Sequence, residues 1–207
     1  MTGLRFPSRL VLGTRNRSKL REERQALRGA ELELLDLETW PDLESPHEKG
    51  ESFLENAMLK ARYYQQATGL PALGEDSGLE VDALGGAPGI HSSRWLGEDT
   101  PYEVKNERLL EKLAGLPPEE RSARYVCALA LASQGEIVFS TIGTCEGRIA
   151  ESPGGRGGFG YDPIFYYPPL RKTLAELSSE EKKRVSHRGK AMARLRDYLD
   201  RLREAAV

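Results

Sequence analysis

The chain begins its patterning with Leu10-Val11-Leu12, an apolar run closed by Gly13, which predicts a short buried strand. Residues 18–27 are charged and helix-prone, and 31–37 alternate polar with apolar, predicting a helix and then a second strand. Residues 40–50 carry two prolines and many acids and read as a loop. Ser52-Phe53-Leu54-Glu55 is a capping box that opens a helix with Phe53, Ala57, Ala61 and Tyr64 on one face. A short strand over 71–74 is expected to stop at Glu75-Asp76-Ser77-Gly78, with another strand or hairpin arm over 79–84 and a turn over 85–89. Thr100-Pro101-Tyr102-Glu103 reads as a second capping box, for a helix ending near Gly115. Residues 124–132 and 137–145 predict two long antiparallel strands joined at 133–135. Residues 154–160 form a glycine-rich loop, and Ser178 to Glu181 is a third capping box. A last helix spans 186–204, with Ala191, Leu195, Tyr198 and Leu202 on its buried stripe. Early alternation of strands and helices, with an antiparallel pair in the middle, predicts an α/β fold with a mixed sheet in a single domain over 1–207.

Bulk properties narrow the function. The 207 residues carry a formal net charge of −2, without the basic excess expected of a nucleic-acid binder. No apolar run approaches the roughly 20 residues needed to span a bilayer, and residues 1–9 lack the apolar centre of a signal peptide. Cys127 and Cys145, the two cysteines, sit in apolar strand-like segments and read as buried free thiols, which suits a cytoplasmic protein.

Four segments carry chemistry. Gly13-Thr14-Arg15-Asn16-Arg17-Ser18-Lys19 stands at a strand-to-helix junction with P-loop-like spacing. Ser18 and Leu20 break the P-loop pattern, but a helix N-terminus with basic neighbours still suits a phosphate. Glu75-Asp76, followed by Ser77-Gly78, offers adjacent carboxylates of the kind that hold Mg²⁺ together with phosphate oxygens and waters, and the acidic stretch Glu44, Glu48 and Glu51 offers another ligand. Phe159 and Tyr161 among glycines offer a stacking platform for a base. In Ser186-His187-Arg188-Gly189-Lys190, two cations lie in a first helical turn, where the dipole disfavours them. Each segment alone also reads as an ordinary cap, turn or solvated face; together they are the parts of a nucleoside triphosphate site.

With these blocks in view, the chain resembles the inosine/xanthosine triphosphate pyrophosphatases, which clear deaminated purine nucleotides. The resemblance is carried by T-R-N-R-S-K at 14–19, G-E-S-F-x-E-N-A-x-x-K-A at 50–61, E-D-S-G-L at 75–79 and G-G-A-P-G-I at 85–90. It continues in G-G-F-G-Y-D-P-I-F at 157–165, A-E-L at 175–177, E-E-K at 180–182 and S-H-R-G-K-A at 186–191. It implies an elongated two-lobed α/β fold with the site in the cleft between lobes, a homodimer, and Mg²⁺-dependent release of pyrophosphate from ITP, dITP or XTP. It implies triphosphate binding by Thr14, Arg15, Asn16, Arg17, Ser18 and Lys19, with Ser77 also on the substrate. Asp76 is the implied general base and a Mg²⁺ ligand, Lys19 the second catalytic residue, Glu48 the other metal carboxylate, and Glu75 a neighbour that shares the work. Phe159, Gly160, Tyr161, Asp162, Lys182, His187 and Arg188 would hold the nucleoside. Lys182 and Arg188 only donate, so against the 6-position they would match an oxo group and reject the amino group of adenine. On that expectation Arg188→Ala collapses the preference for ITP over ATP. The competing readings are a pyrophosphatase for modified pyrimidine nucleotides and a sensor that binds nucleotides without cleaving them.

Overall fold

The computed structural model describes residues 6–205, so part of the segment expected to lack a signal peptide lies outside the described residues. Seven strands form one mixed sheet in the order β2-β1-β3-β4-β5-β6-β7. They are β1 (Arg9–Gly13), β2 (Glu33–Leu35), β3 (Ala72–Val81), β4 (Ser122–Ser133), β5 (Glu136–Ile149), β6 (Phe165–Tyr167) and β7 (Lys172–Thr173). The helices are α1 (Arg17–Ala26), α2 (Phe53–Thr68), α3 (Tyr102–Lys112), α4 (Ser179–Val185) and α5 (His187–Glu204). β1 runs parallel to β2 and β3, with Val11 opposite Ala72 and Gly13 opposite Gly74. β5, β6 and β7 are antiparallel neighbours. The expected α/β class and mixed sheet are therefore present.

The described residues fold as two compact units. The first comprises 6–76, Cys127–Gly143 and 188–205, the second Ser77–Val126 and Thr144–His187. In the first unit β1 is apolar on both faces, as a strand covered on both sides must be. Leu10 and Leu12 pack with Leu73, Cys127 and the α5 residues Ala191, Met192, Leu195 and Leu199. Val11 turns the other way, with Ala72 and Tyr64 of α2. In the second unit Leu79, Val81, Leu109, Leu113, Tyr125, Ile164 and Phe165 form one core. Cys127 and Cys145 are buried and form no disulfide.

The differences from the expected elements have local causes. The strands expected over 71–74 and 79–84 are one strand, β3, which carries Glu75-Asp76-Ser77-Gly78 through its middle. Asp, Ser and Gly are poor strand formers, but β3 is flanked by β1 and β4, and the ladders on both sides override propensity. The strand expected over 31–37 shrinks to Glu33–Leu35, because Glu31 takes a left-handed φ of 54° and the chain coils at Leu37. Thr100 does not cap α3: its hydroxyl donates to the Leu96 carbonyl, and Pro101 takes the cap position. At α2 the Ser52 hydroxyl accepts from the Glu55 amide, while the Glu55 carboxylate accepts from Glu51 rather than Ser52. The box at Ser178 and Glu181 is complete, and a further one at Thr173 and Glu176 had no expected counterpart.

Candidate functional site

Period-two geometry sends adjacent residues of a strand to opposite faces. Glu75 and Asp76 therefore cannot act as a side-by-side pair, and the first unit treats them in opposite ways. Asp76 shares its face with Ala72 and Gly74, toward α2. A Cβ at Gly74 would run into the backbone of Ala57 and Ala61, so α2 lies directly on the strand. That closeness lets Asn56 and Lys60, one helical turn apart, reach Asp76. The Asn56 amide nitrogen donates to Oδ2 at 3.1 Å, and the Lys60 ammonium donates to Oδ1 at 3.1 Å. The same ammonium contacts Glu48 Oε1 at 2.5 Å and the Glu75 carbonyl oxygen at 3.1 Å. Burial pushes the Asp76 carboxyl above the usual aspartate range; Lys60 pulls it back and Glu48 adds to the rise. Burial alone would weaken the Lys60 ammonium, but the charges of Asp76 and Glu48 hold its pKa above the ordinary lysine value.

Glu75 faces α1 and α5. The Arg188 guanidinium grips it with two parallel hydrogen bonds, Nε to Oε2 and Nη2 to Oε1, each 2.8 Å, and donates through Nη1 to Glu22 at 2.6 Å. Lys19 lies 3.2 Å from Glu75 Oε1. Burial opposes the charge on Glu75, but Arg188 and Lys19 outweigh it and hold the carboxyl well below the usual range. Glu23, buried in α1 beside Glu75, is driven well above that range by its burial and by the charge of Glu75.

In the segment 13–19 Asn16 caps α1. Its side-chain oxygen accepts from the amides of Ser18 at 3.0 Å and Lys19 at 3.1 Å, so two amides expected to face a phosphate are engaged by the cap. The Thr14 hydroxyl accepts from the Asn16 amide at 3.2 Å. Arg15 donates to the carbonyls of Trp40 and Leu43. Arg17, the first residue of α1, is exposed.

The second unit gathers the aromatic loop. Asp162 Oδ2 accepts from the Phe159 amide at 2.8 Å and from the Lys182 ammonium at 2.7 Å. Lys182 in turn lies 4.7 Å from the centre of the Phe159 ring, a cation–π distance. Gly158 has a φ of 70°, and a Cβ there would collide with the Asp162 carboxylate, so this turn requires glycine. Asn106 of α3 donates to the Gly160 carbonyl at 3.2 Å, and the buried Tyr161 donates its hydroxyl to the Ser92 carbonyl at 2.9 Å. His187 stacks on Tyr125 with ring centres 4.5 Å apart. Ser77, half-buried in β3, opens this unit.

Of the expected site residues, Lys19, Glu48, Glu75, Asp76 and Arg188 thus belong to the first unit, and Phe159, Gly160, Tyr161, Asp162, Lys182 and His187 to the second. Among the described residues no group of three or more His, Cys, Asp or Glu side chains gathers as metal ligands. Glu75 does not join Glu48 and Asp76; its oxygens are engaged by cations. Arg188, expected at the base, is engaged by Glu75 and Glu22. Asn56, Lys60, Glu22 and Glu23 had no expected role. For Asn56 and Lys60 a signal was available: polar residues spaced i, i+4 beside the small Ala57 and Ala61.

A family model described as the Ham1 family matches residues 10–198. The chain belongs to the Ham1 family. It is similar to proteins named dITP/XTP pyrophosphatase from Symbiobacterium thermophilum, at 50% identity over 95% of this chain and 97% of that protein, and from Thermus thermophilus, at 50% over 93% and 92%. The fold of this Ham1-family chain matches the structure of a HAM1 protein from Coxiella burnetii with a TM-score of 0.84 and 39% identity, covering 93% of this chain and 98% of that one.

Proposed function

We propose that the chain hydrolyses deaminated purine nucleoside triphosphates, ITP, dITP and XTP, to the monophosphate and pyrophosphate by attack of water at the α-phosphorus. The observation that carries this reading is the convergence of Glu48 and Asp76 on a single cation, the Lys60 ammonium, in a chain whose Ham1-family relatives are named dITP/XTP pyrophosphatases.

The residues fit Mg²⁺. Two carboxylates brought onto one positive charge are hard oxygen donors, and Mg²⁺ is commonly bound by one or two carboxylates with substrate phosphates and waters completing the shell. Glu48 and Asp76 would hold it. When bound, it would neutralise triphosphate charge and offset the charge building on the pyrophosphate leaving group. The remaining chemistry belongs to the chain. Asp76, its proton affinity raised by burial, takes the proton of the attacking water. Asn56 and Lys60 fix the direction of its two oxygens. Lys19, held by Glu75, donates to the phosphates together with Thr14, Arg17 and Ser18, while Asn16 and Arg15 shape the loop. In the second unit Phe159 stacks on the base, and Lys182, aimed by Asp162, donates to the 6-oxo group that inosine and xanthosine carry. His187 lines that recognition surface through its stack on Tyr125.

This division moves Arg188 from base reading to the support of Glu75 and Lys19. Arg188→Ala then lowers kcat/KM on ITP and ATP by the same factor; a selective loss on ITP would return Arg188 to the base. The overall reading is tested by phosphorus NMR of products from a panel of triphosphates with Mg²⁺. Pyrophosphate formed in step with IMP, with ATP largely spared, is expected; stepwise orthophosphate release would refute attack at the α-phosphorus. The resemblance also leads us to read the protein as a cytoplasmic homodimer, and light scattering giving a mass of 23.0 kDa at micromolar concentration would refute the dimer. No helix of the described residues is long and apolar enough to cross a membrane.

A further inference from the structure

We infer that Asn56 is the positioning residue that sets the spacing of the two metal-binding carboxylates, and thereby the affinity of the protein for its divalent cation. The inference rests on the reading of Glu48 and Asp76 as the metal carboxylates. Asn56 has no exposed surface, and its amide is used at both ends. The nitrogen donates to Asp76 Oδ2 at 3.1 Å, and the oxygen accepts from the Gly50 amide at 2.8 Å. Gly50 lies two residues after Glu48 on the same loop. One buried side chain therefore ties the Glu48 loop to the Asp76 strand. No other amino acid of that length offers a donor and an acceptor on one planar group: aspartate would set a carboxylate against Asp76, and leucine would leave both partners unsatisfied.

Two close approaches show that the tie is built for this geometry. A Cβ on Gly50 would fall 2.7 Å from Asn56 Oδ1 and 2.9 Å from the backbone nitrogen of Asn56, so the loop comes this near only as glycine. A Cβ on Gly74 would meet the α2 backbone, so the helix that carries Asn56 reaches β3 only over glycine. Lys60 does not duplicate the tie, because an ammonium is a point charge with rotatable donors that tolerates a range of carboxylate spacings. A fixed amide with one donor toward Asp76 and one acceptor toward the loop sets a distance.

The test measures Mn²⁺ binding to the full-length protein by paramagnetic resonance of the free ion, beside the Mg²⁺ dependence of pyrophosphate release. Removing a group that orients a metal ligand commonly costs 10–100-fold in metal affinity. Asn56→Ala should weaken Mn²⁺ binding at least tenfold and raise the half-saturating Mg²⁺ concentration by a similar factor, while KM for ITP at saturating Mg²⁺ changes less than threefold. Gly50→Ala, which leaves the Asn56 side chain in place and crowds its acceptor, should weaken Mn²⁺ in the same direction and serves if Asn56→Ala does not fold. Glu48→Gln is the control for the underlying reading. If Glu48→Gln weakens Mn²⁺ but neither Asn56→Ala nor Gly50→Ala does, Asn56 belongs to the scaffold and the inference is overturned. If Glu48→Gln leaves Mn²⁺ binding unchanged, the metal reading itself fails and takes the inference with it.

Discussion

The two faces of β3 hold adjacent acids under opposite regimes. On the α5 face Glu75 is gripped by a two-pronged guanidinium with a lysine beside it, and its negative charge is fixed. On the α2 face Asp76 is met by a neutral amide and by one ammonium that it shares with Glu48, so its charge is poorly matched and its proton affinity is raised. The first arrangement builds a scaffold, because a buried charge with matched partners resists exchange. The second suits chemistry, because a carboxylate whose partner is shared can trade it for a metal ion or a proton. Sequence adjacency hides the difference, and strand pleating creates it.

The largest effect separates the faces by activity. Asp76→Asn keeps the shape and the Asn56 contact but removes the charge, and should lower kcat at saturating Mg²⁺ by about 10²–10⁴-fold. Its stability should fall less than that of a Glu75 variant, since burial already disfavours the Asp76 charge and its loss relieves repulsion with Glu48. Near-wild-type turnover of the purified variant would break the assignment. The next effect separates them by stability. Glu75→Gln removes the carboxylate that accepts two hydrogen bonds from the buried Arg188, and losing one member of a buried pair costs about 3–5 kcal/mol. Urea unfolding of both variants checks the contrast, and equal destabilisation would erase it.

Much of this was legible in the sequence because it depends on local pattern. The apolar run at 10–12, the cap at Ser178 and the hairpin turn near Gly135 are set by neighbouring residues. The course of β3 was not, because the ladder partners that hold Asp76-Ser77-Gly78 extended come from distant segments. That one misreading hid the site logic. With Glu75 and Asp76 at a strand end, both acids were free to share a metal; inside a strand they must part. Arg188 was likewise legible as a cation at an unfavourable helix start, but its partner lies 113 residues away in sequence and is Glu75 rather than a ligand.

Acidification should pull the two faces apart. Glu75 has a depressed folded-state pKa, so its contribution to stability is present above the ordinary glutamate value of about 4.3 and is lost only as pH falls through the lower folded value. Asp76 has a raised value, so its contribution to stability is full below the ordinary aspartate value of about 3.9 and declines as pH rises through the raised one. In the proposed role of base it would work only above that raised value. Lowering the pH from neutrality should therefore abolish kcat/KM before circular dichroism records any loss of fold. Added Mg²⁺, which competes with the proton, should move the acid limb to lower pH. Loss of activity and ellipticity at the same pH would contradict the separation.

The smallest effect concerns Glu23, which shares the buried cluster of Glu75 but not its charge. Burial and the neighbouring negative charge raise its pKa well above the usual range, which favours the protonated form that donates to Glu75. Glutamine mimics that form, with an amide donor and a carbonyl acceptor in nearly the same shape. Glu23→Gln should thus be at least as stable as the wild type where Glu75→Gln is crippled. The linkage fixes the sign of its pH dependence. A raised folded-state value means that stability from Glu23 is full below the ordinary carboxylate value and is lost as pH rises toward the raised one, at about 1.4 kcal/mol per pH unit. Glutamine has no such loss. At pH 5 the variant should be the more stable of the two, and the lead should shrink as the pH falls toward 4, where glutamate is increasingly protonated in both states. Chemical denaturation at the two pH values reads the difference. A Glu23→Gln variant weaker than the wild type at pH 5 would mean that Glu23 is ionised, and the cluster on the α5 face would then hold two buried negative charges instead of one.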